Sequence, residues 1–364
     1  MGLVSFPVGP NLGGSALDDL LGRKVADRRH LLKGGVGLGL AASALALGHR
    51  VTAQELSTPE GGYVGSDPES PSTGDAVPVG GEPQTFQRYD PVLAAVEPGA
   101  KRIEILARDA VLYVAKEVPY AGWTFDGTIP GRTLRVREGD TIDFTLKIDP
   151  NAATAHSLDF HSAKTAPDTS YKTIMPGEEF SWTFTAGVPG AYLYHCGTPP
   201  VLMHLGAGMY GAMIVDPKDG WSPAQELIFV QSEFYLAEGE NGVMIPDYEM
   251  MAGMTHMSYV TFNGHATQYV DEPIPIRVGE PVRIFVVNAG PNIWSSFHVV
   301  GAIFDKGYVN AHPFNELRGL QSISIGPGDG ACVEFTVNEP GEYVAVNHSF
   351  GHAAHGAIAI LNAS

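Results

Sequence analysis

Beyond residue 100, apolar and polar side chains alternate in short runs. Thr141-Ile142-Asp143-Phe144-Thr145-Leu146-Lys147-Ile148 puts every second residue on one apolar face, the period of a half-buried strand. Such runs are broken by Gly- and Pro-containing turns, as short strands require. The pattern also repeats on a larger scale. Thr124-Phe125-Asp126-Gly127 returns as Thr261-Phe262-Asn263-Gly264, and Leu134-Arg135-Val136-Arg137-Glu138-Gly139-Asp140 as Ile276-Arg277-Val278-Gly279-Glu280. Pro176-Gly177-Glu178, Phe184-Thr185, Pro189-Gly190 and Tyr192 all return 151 residues later, as Pro327-Gly328-Asp329, Phe335-Thr336, Pro340-Gly341 and Tyr343. One matched dipeptide would be chance, but an ordered series is a duplicated unit. The chain is therefore expected to be all-β, with two tandem β-sandwiches over residues 88–217 and 218–364, divided near Asp216-Pro217-Lys218-Asp219-Gly220.

Composition agrees with that reading. The 44 Gly and 27 Pro among 364 residues make up about 20% of the chain, against a background of roughly 12%. A formal charge of −18 repels phosphate backbones, and no Lys/Arg-rich patch carries interleaved aromatics, so nucleic acid is not expected as a partner. An acidic surface suits a cationic protein partner.

The two ends of the first hundred residues read differently from the rest. Asp27-Arg28-Arg29-His30-Leu31-Leu32-Lys33 precedes an apolar stretch over 34–48 and the small-residue site Val51-Thr52-Ala53. Paired arginines before a modest apolar stretch form a twin-arginine-type export signal over 1–53, so a periplasmic or other extracytoplasmic location is expected. The stretch is short for a membrane span of about 20 residues. Residues 54–87, rich in Gly, Pro, Ser and acids, read as a flexible linker or tail.

Candidate chemistry concentrates in the first repeat. Its windows are His156-Ser157-Leu158-Asp159-Phe160-His161 and Tyr194-His195-Cys196, followed by His204 and Met209. A thiolate, two imidazoles and a thioether form the donor set of a blue-type copper site. Cys196, His204 and Met209 on one short loop let a single turn close around the metal, and His156 supplies the second imidazole from another strand. Neighbouring strand residues point to opposite faces, which separates His195 from Cys196 and His161 from His156. Asp159 shares the face of His161. A second site is expected there from His161 and His195, needing a third ligand, with Asp159 placed for proton delivery. The adjacent pair His195-Cys196 would link the two sites covalently. The second repeat has Val346-Asn347-His348 at the equivalent place, so the thiol belongs to the first alone.

The His156–His161 window, the Cys196–His204–Met209 loop and the segment Gly290-Pro291-Asn292-Ile293-Trp294-Ser295-Ser296-Phe297-His298-Val299-Val300-Gly301 together resemble copper-containing nitrite reductases over residues 100–362. The resemblance implies two cupredoxin-like Greek-key domains. It also implies a type 1 copper on His156, Cys196, His204 and Met209, passing an electron through His195-Cys196 to a type 2 copper. The type 2 ligands are then His161, His195 and, by position, His348, with Asp159 and His298 relaying protons to nitrite. A small redox donor, a cupredoxin or a cytochrome c, and a homotrimer with shared type 2 sites are implied as well. Val300 stands where that family commonly has isoleucine, and His352 and His355 are alternative donors beside His348.

Two other functions fit less of the chain. A laccase-like two-domain multicopper oxidase needs paired His-x-His motifs, which this sequence lacks. A copper-binding electron-transfer protein would leave Asp159, His161, His195 and His298 without a role. Five methionines (Met244, Met250, Met251, Met254 and Met257) read as packing in a helix between the domains rather than as soft-metal ligands. Cys332, in an apolar run, reads as a small buried side chain, and His265 and His312 as surface or turn residues.

Overall fold

The computed structural model describes residues 77–364 except 79 and 97. The expected export signal and residues 54–76 of the expected linker thus lie outside the described residues. Among the described residues four sheets form two sandwiches. The first sets six strands, in spatial order Leu236–Glu238, Met244–Pro246, Val118–Phe125, Lys101–Ala115, Thr141–Ile148 and Glu179–Thr185, against four: Gly131–Arg137, Tyr210–Asp216, Gly190–His195 and Asp159–Phe160. The second sets Tyr259–Phe262, Gln225–Phe234, Pro281–Gly290, Gly330–Thr336, Phe304–Val309 and Glu316–Leu320 against Ile274–Ile276, Ile358–Ala363, Gly341–Asn347, Ser295–Val300 and Ile323–Ile325. The fold is all-β, of the cupredoxin-like sandwich type.

The repeat is visible in its turns. Asp126 and Gly127 have φ of 58° and 79°, Asn263 and Gly264 57° and 80°, and Gly177 and Gly328 both 84°. A Cβ on Gly264 would also lie 1.9 Å from the carbonyl oxygen of Ile129, so backbone approach fixes that glycine as well.

Burial explains which strands alternate and which do not. Within the first sandwich, Ile142, Phe144 and Leu146 pack with Met213 and Val215, while Thr141, Asp143 and Thr145 face outward. Strand Tyr210–Asp216 is buried along its whole length. Its other face, Ala212 and Ile214, joins Leu193 in packing on Ile228, Val230, Phe285 and Val287 of the second sandwich. Ile284 and Val286 point the opposite way, into that sandwich's own core. The two inner sheets are therefore covered on both faces, and their strands read as continuous apolar runs. Cys332 lies wholly buried in this central layer.

A buried ion network fastens the same junction. Arg135 pairs with Asp216 at 2.9 Å and Glu226 at 2.8 Å; Arg283 pairs with Glu226 at 2.8 Å and Glu334 at 2.6 Å. The Arg283 guanidinium also lies 5.0 Å from the Trp221 ring centroid.

Two details differ from the sequence reading. The boundary at 217/218 is crossed, because Leu236–Glu238 and Met244–Pro246 pair with each other and Met244 pairs with Tyr120, extending the first sandwich's sheet. The end of the expected linker is attached: the N–H of Gln84 donates to the Val111 carbonyl at 2.9 Å, and the Phe86 ring lies 4.3 Å from His265. His265 does sit in a turn but is only 7% exposed, because Phe86 covers it. The methionine-rich segment forms helix Tyr248–Gly253, capped by the Asp247 side chain. Met251 and Met250 pack on the first core, whereas Met254 is exposed.

Candidate metal centres

Strand Gly190–His195 ends at the junction of two donor groups. Cys196 follows it, with its N–H donating to the Met209 carbonyl at 3.0 Å; the Met209 N–H donates to the His204 carbonyl at 3.2 Å. These bonds close the loop, whose helix Val201–Gly206 carries His204. His156 is held from the other side by a two-way backbone bridge with Ile174. The result places His204 Nδ1 3.1 Å from His156 Nδ1 and 3.3 Å from Cys196 Sγ. All three side chains and Met209 are fully buried, and the Trp123 ring lies tilted over His204 with ring centroids 4.5 Å apart.

The chemistry of this group fits a metal. Burial holds the His156 imidazole well below its usual pKa, reinforced by the neighbouring His204, and burial alone lowers His204 to about 3. Both rings are neutral at pH 7, so each carries a lone pair able to ligate. His156 Nε2 is buried without a hydrogen-bond partner. Burial raises the Cys196 thiol, opposed by hydrogen bonds from Ser157 and Thr198; the Ser157 N–H lies 3.4 Å from Sγ. Donors spaced by 3.1–3.3 Å suit metal–ligand bonds of about 2.0–2.3 Å. Two imidazoles and a cysteine, with a methionine on the same loop, select copper.

The second group lies across the same strand. Asp159 is registered opposite His195, and His161 is two residues further along. The His195 Nδ1–H donates to the Cys196 carbonyl at 2.8 Å, which leaves Nε2 as the ligating atom. That nitrogen is 3.1 Å from His161 Nε2, and Asp159 Oδ2 is 3.8 Å and 3.9 Å from the two rings. Burial, then the neighbouring His161, lowers the His195 pKa. His161 and Asp159 remain 33% and 43% exposed, so this group opens to solvent while the cysteine group does not. The Pro327-Gly328 turn borders it: a Cβ on Gly328 would sit 3.5 Å from His161 Cε1.

His298 and His348 lie elsewhere, together. His298, on Ser295–Val300, bonds the Gln321 carbonyl through Nδ1, and its ring centroid is 5.3 Å from that of His348. The His348 N–H donates to the Ser296 carbonyl at 2.7 Å. Neither joins Asp159, His161 and His195 in the group of donors formed within one chain. His352 and His355 are tied to their own loop: His352 Nδ1 is 3.0 Å from Asn347 Nδ2, and His355 Nδ1 donates to the Gly351 carbonyl at 2.6 Å. Val300 is 46% exposed. Sequence reasoning passed over Asn347, whose amide bonds Gln231, Trp294, Ser296 and Ser349 as well as His352. It also gave no reason for Gly197: a Cβ there would fall 1.6 Å from the Tyr171 hydroxyl, so any side chain directly after Cys196 requires the Tyr171 ring to move.

Comparison with known proteins finds copper enzymes. The multicopper oxidase family model matches residues 108–220. The copper-containing nitrite reductase of Neisseria meningitidis serogroup B is 38% identical over 262 residues, covering 70% of this chain; the chain spans 66% of that relative's length. A solved copper nitrite reductase from Nitrosomonas europaea is 38% identical with a TM-score of 0.68, covering 73% of this chain and 94% of its own. The copper-containing nitrite reductase structure from Thermus scotoductus is 33% identical with a TM-score of 0.67, over 73% of this chain and 62% of its own.

Proposed function

This chain belongs to the copper-containing nitrite reductases, and on that basis we propose that it reduces nitrite to nitric oxide, consuming one electron and two protons and releasing water. The observation that carries the reading is the junction at His195-Cys196. Two residues joined by one peptide serve two donor groups, one closed and sulfur-containing, the other open and imidazole-rich.

Copper, when bound at both, supplies the one-electron chemistry: the closed site accepts the electron and the open site delivers it to nitrite. His156, Cys196, His204 and Met209 hold the type 1 ion; Trp123 and full burial keep water from it. His161 and His195 hold the type 2 ion, with His348 as third ligand. His348 does not join them in the donor group formed within one chain; by the family resemblance it would come from a neighbouring subunit of a homotrimer, with His298 beside it. Asp159, within 4 Å of both ring nitrogens, holds the proton first passed to a nitrite oxygen. His298 supplies the second. The paired arginines at residues 28 and 29 support export to the periplasm by the twin-arginine route, and the net acidity supports a small cationic donor, a cupredoxin or a cytochrome c.

The test is nitric oxide release with a reduced dye as donor, run beside phenol and aromatic-amine oxidation. Asp159→Asn and His298→Ala should keep both coppers and lose about 100-fold or more in turnover. Oxygen consumption with phenols and no nitric oxide would refute the assignment.

A further inference from the structure

Outside both donor groups, behind the turn that leads to His298, lies an acid with 2% of its surface exposed, Glu233. It is on strand Gln225–Phe234, next to Pro281–Gly290, whose pairing is bulged at its end opposite Ser232. The chain then turns through residues 291–294 into Ser295–Val300. Glu233 Oε1 accepts the N–H of Asn292 at 2.6 Å and of Ile293 at 3.2 Å, and Oε2 accepts the latter at 3.1 Å. The Tyr235 hydroxyl donates to Oε1 at 3.2 Å and accepts from Asn292 Nδ2 at 3.2 Å. Asn292 Nδ2 also donates to the Met251 carbonyl at 3.0 Å. Beyond the turn, the Asn347 side chain bonds the Trp294 carbonyl and the Ser296 N–H, both at 3.1 Å.

We propose that Glu233 is a positioning residue for nitrite reduction: ionised, it fixes residues 291–294 and with them the strand presenting His298, and on gaining a proton it lets that turn relax. The proposal rests on the nitrite-reductase reading. Its physical basis is donor–acceptor matching. An ionised carboxylate only accepts, which suits two consecutive backbone N–H groups and a phenol; a protonated one turns an O–H toward them. Burial raises the Glu233 pKa to about 7, against the opposing hydrogen bonds from Ile293, Asn292 and Tyr235. The titratable groups facing it are Tyr235, raised to about 12, and Tyr210, pushed up by burial. Both stay neutral near pH 7, and among the described residues no Lys, Arg or His forms an ion pair with Glu233.

The experiment compares kcat for nitrite in copper-loaded wild type and Glu233→Gln between about pH 5.5 and 8.5. At pH 8 the variant should be slower by about tenfold, with type 1 absorption and KM little changed. The ratio should approach one below about pH 6, where wild type also carries the proton. Tyr235→Phe removes the phenolic donor that stabilises the carboxylate, along with the acceptor of Asn292 Nδ2, so it should move that convergence to higher pH. Infrared spectra should show a protonated-carboxyl band growing as pH falls through about 7, absent from Glu233→Gln. A ratio independent of pH, an unmoved midpoint in Tyr235→Phe, or no such band would overturn the proposal. If wild type forms no nitric oxide at any pH, the nitrite reading fails by itself. The infrared titration, with amide hydrogen exchange of residues 291–296, then decides the role of Glu233, and equal protection in wild type and Glu233→Gln rejects it.

Discussion

Mixing two inactive variants tests whether the type 2 site is shared between subunits. His161→Ala leaves His195 beside Asp159 with one imidazole of the pair gone; His348→Ala removes the ring beside His298. Each should be inactive alone. Co-expressed in equal amounts, the chains should assemble into mixed rings. An interface is intact only when the chain presenting His161 is the His348→Ala chain and its neighbour is the His161→Ala chain. With random filling that happens at about one interface in four, whatever the ring size. Nitric oxide production and the type 2 electron paramagnetic resonance signal should both recover to about a quarter of wild type. Type 1 absorption should stay full, since His156, Cys196 and His204 meet within one chain. A within-chain site would give every chain one lesion, and mixing would restore nothing. Zero recovery in oligomers proven mixed by affinity tags would refute the shared site and return attention to His352 and His355.

Three further outcomes follow from particular contacts. Cys196→Ser should bleach the visible thiolate absorption while leaving a type 2 signal; retained colour would mean that the type 1 site is elsewhere. Arg283→Met removes the cation between Glu226 and Glu334, and the urea midpoint should fall by the equivalent of about 3 kcal/mol, because two carboxylates lose a buried partner. An unchanged midpoint would show that Arg135, paired with Glu226, and Lys306, whose ammonium is 3.5 Å from Glu334, suffice. Glu233 makes the third case. Its pKa is raised on folding, so its contribution is fully present at low pH and is lost as pH rises through about 7. Relative to Glu233→Gln, copper-free wild type should therefore lose up to about 1.4 kcal/mol per pH unit between about pH 5 and 7, read from urea midpoints. A difference that stays flat with pH would contradict the burial argument.

Much of this was legible from residue order because strand chemistry has a period of two. Alternation alone separated Cys196 from His195 and placed Asp159 with His161, which is how the donor groups fall in space. The duplicated Asp126-Gly127 and Asn263-Gly264 turns announced two sandwiches. Other features carry no local signal. Leu236–Glu238 and Met244–Pro246 are three residues each, too short for a periodic pattern, and their partner strand lies more than a hundred positions earlier. Glu233 closes the polar run Gln231-Ser232-Glu233 at the end of an apolar strand, and only the incoming turn at Asn292 makes it a buried, bonded carboxylate. His265 resembles any turn histidine until Phe86, from a segment read as linker, lies over it.

The enclosure of the cysteine group has a kinetic corollary. The donors His156, Cys196 and His204 are all 0% exposed, so an ion reaches or leaves them only when the structure around them opens. Exchange has to wait for local opening of the loop from Cys196 to Met209, which is held by the Cys196–Met209 and His204–Met209 backbone links, one short helix, the bonds of Gly197 and Thr198 to Ser157 and the Tyr120 hydroxyl on the Gly206 carbonyl. Copper loading of the folded protein should thus saturate with metal concentration at the opening rate of that loop. The open imidazole group, by contrast, should fill in proportion to the copper supplied, so the order in which the two sites acquire metal is set by architecture rather than by affinity.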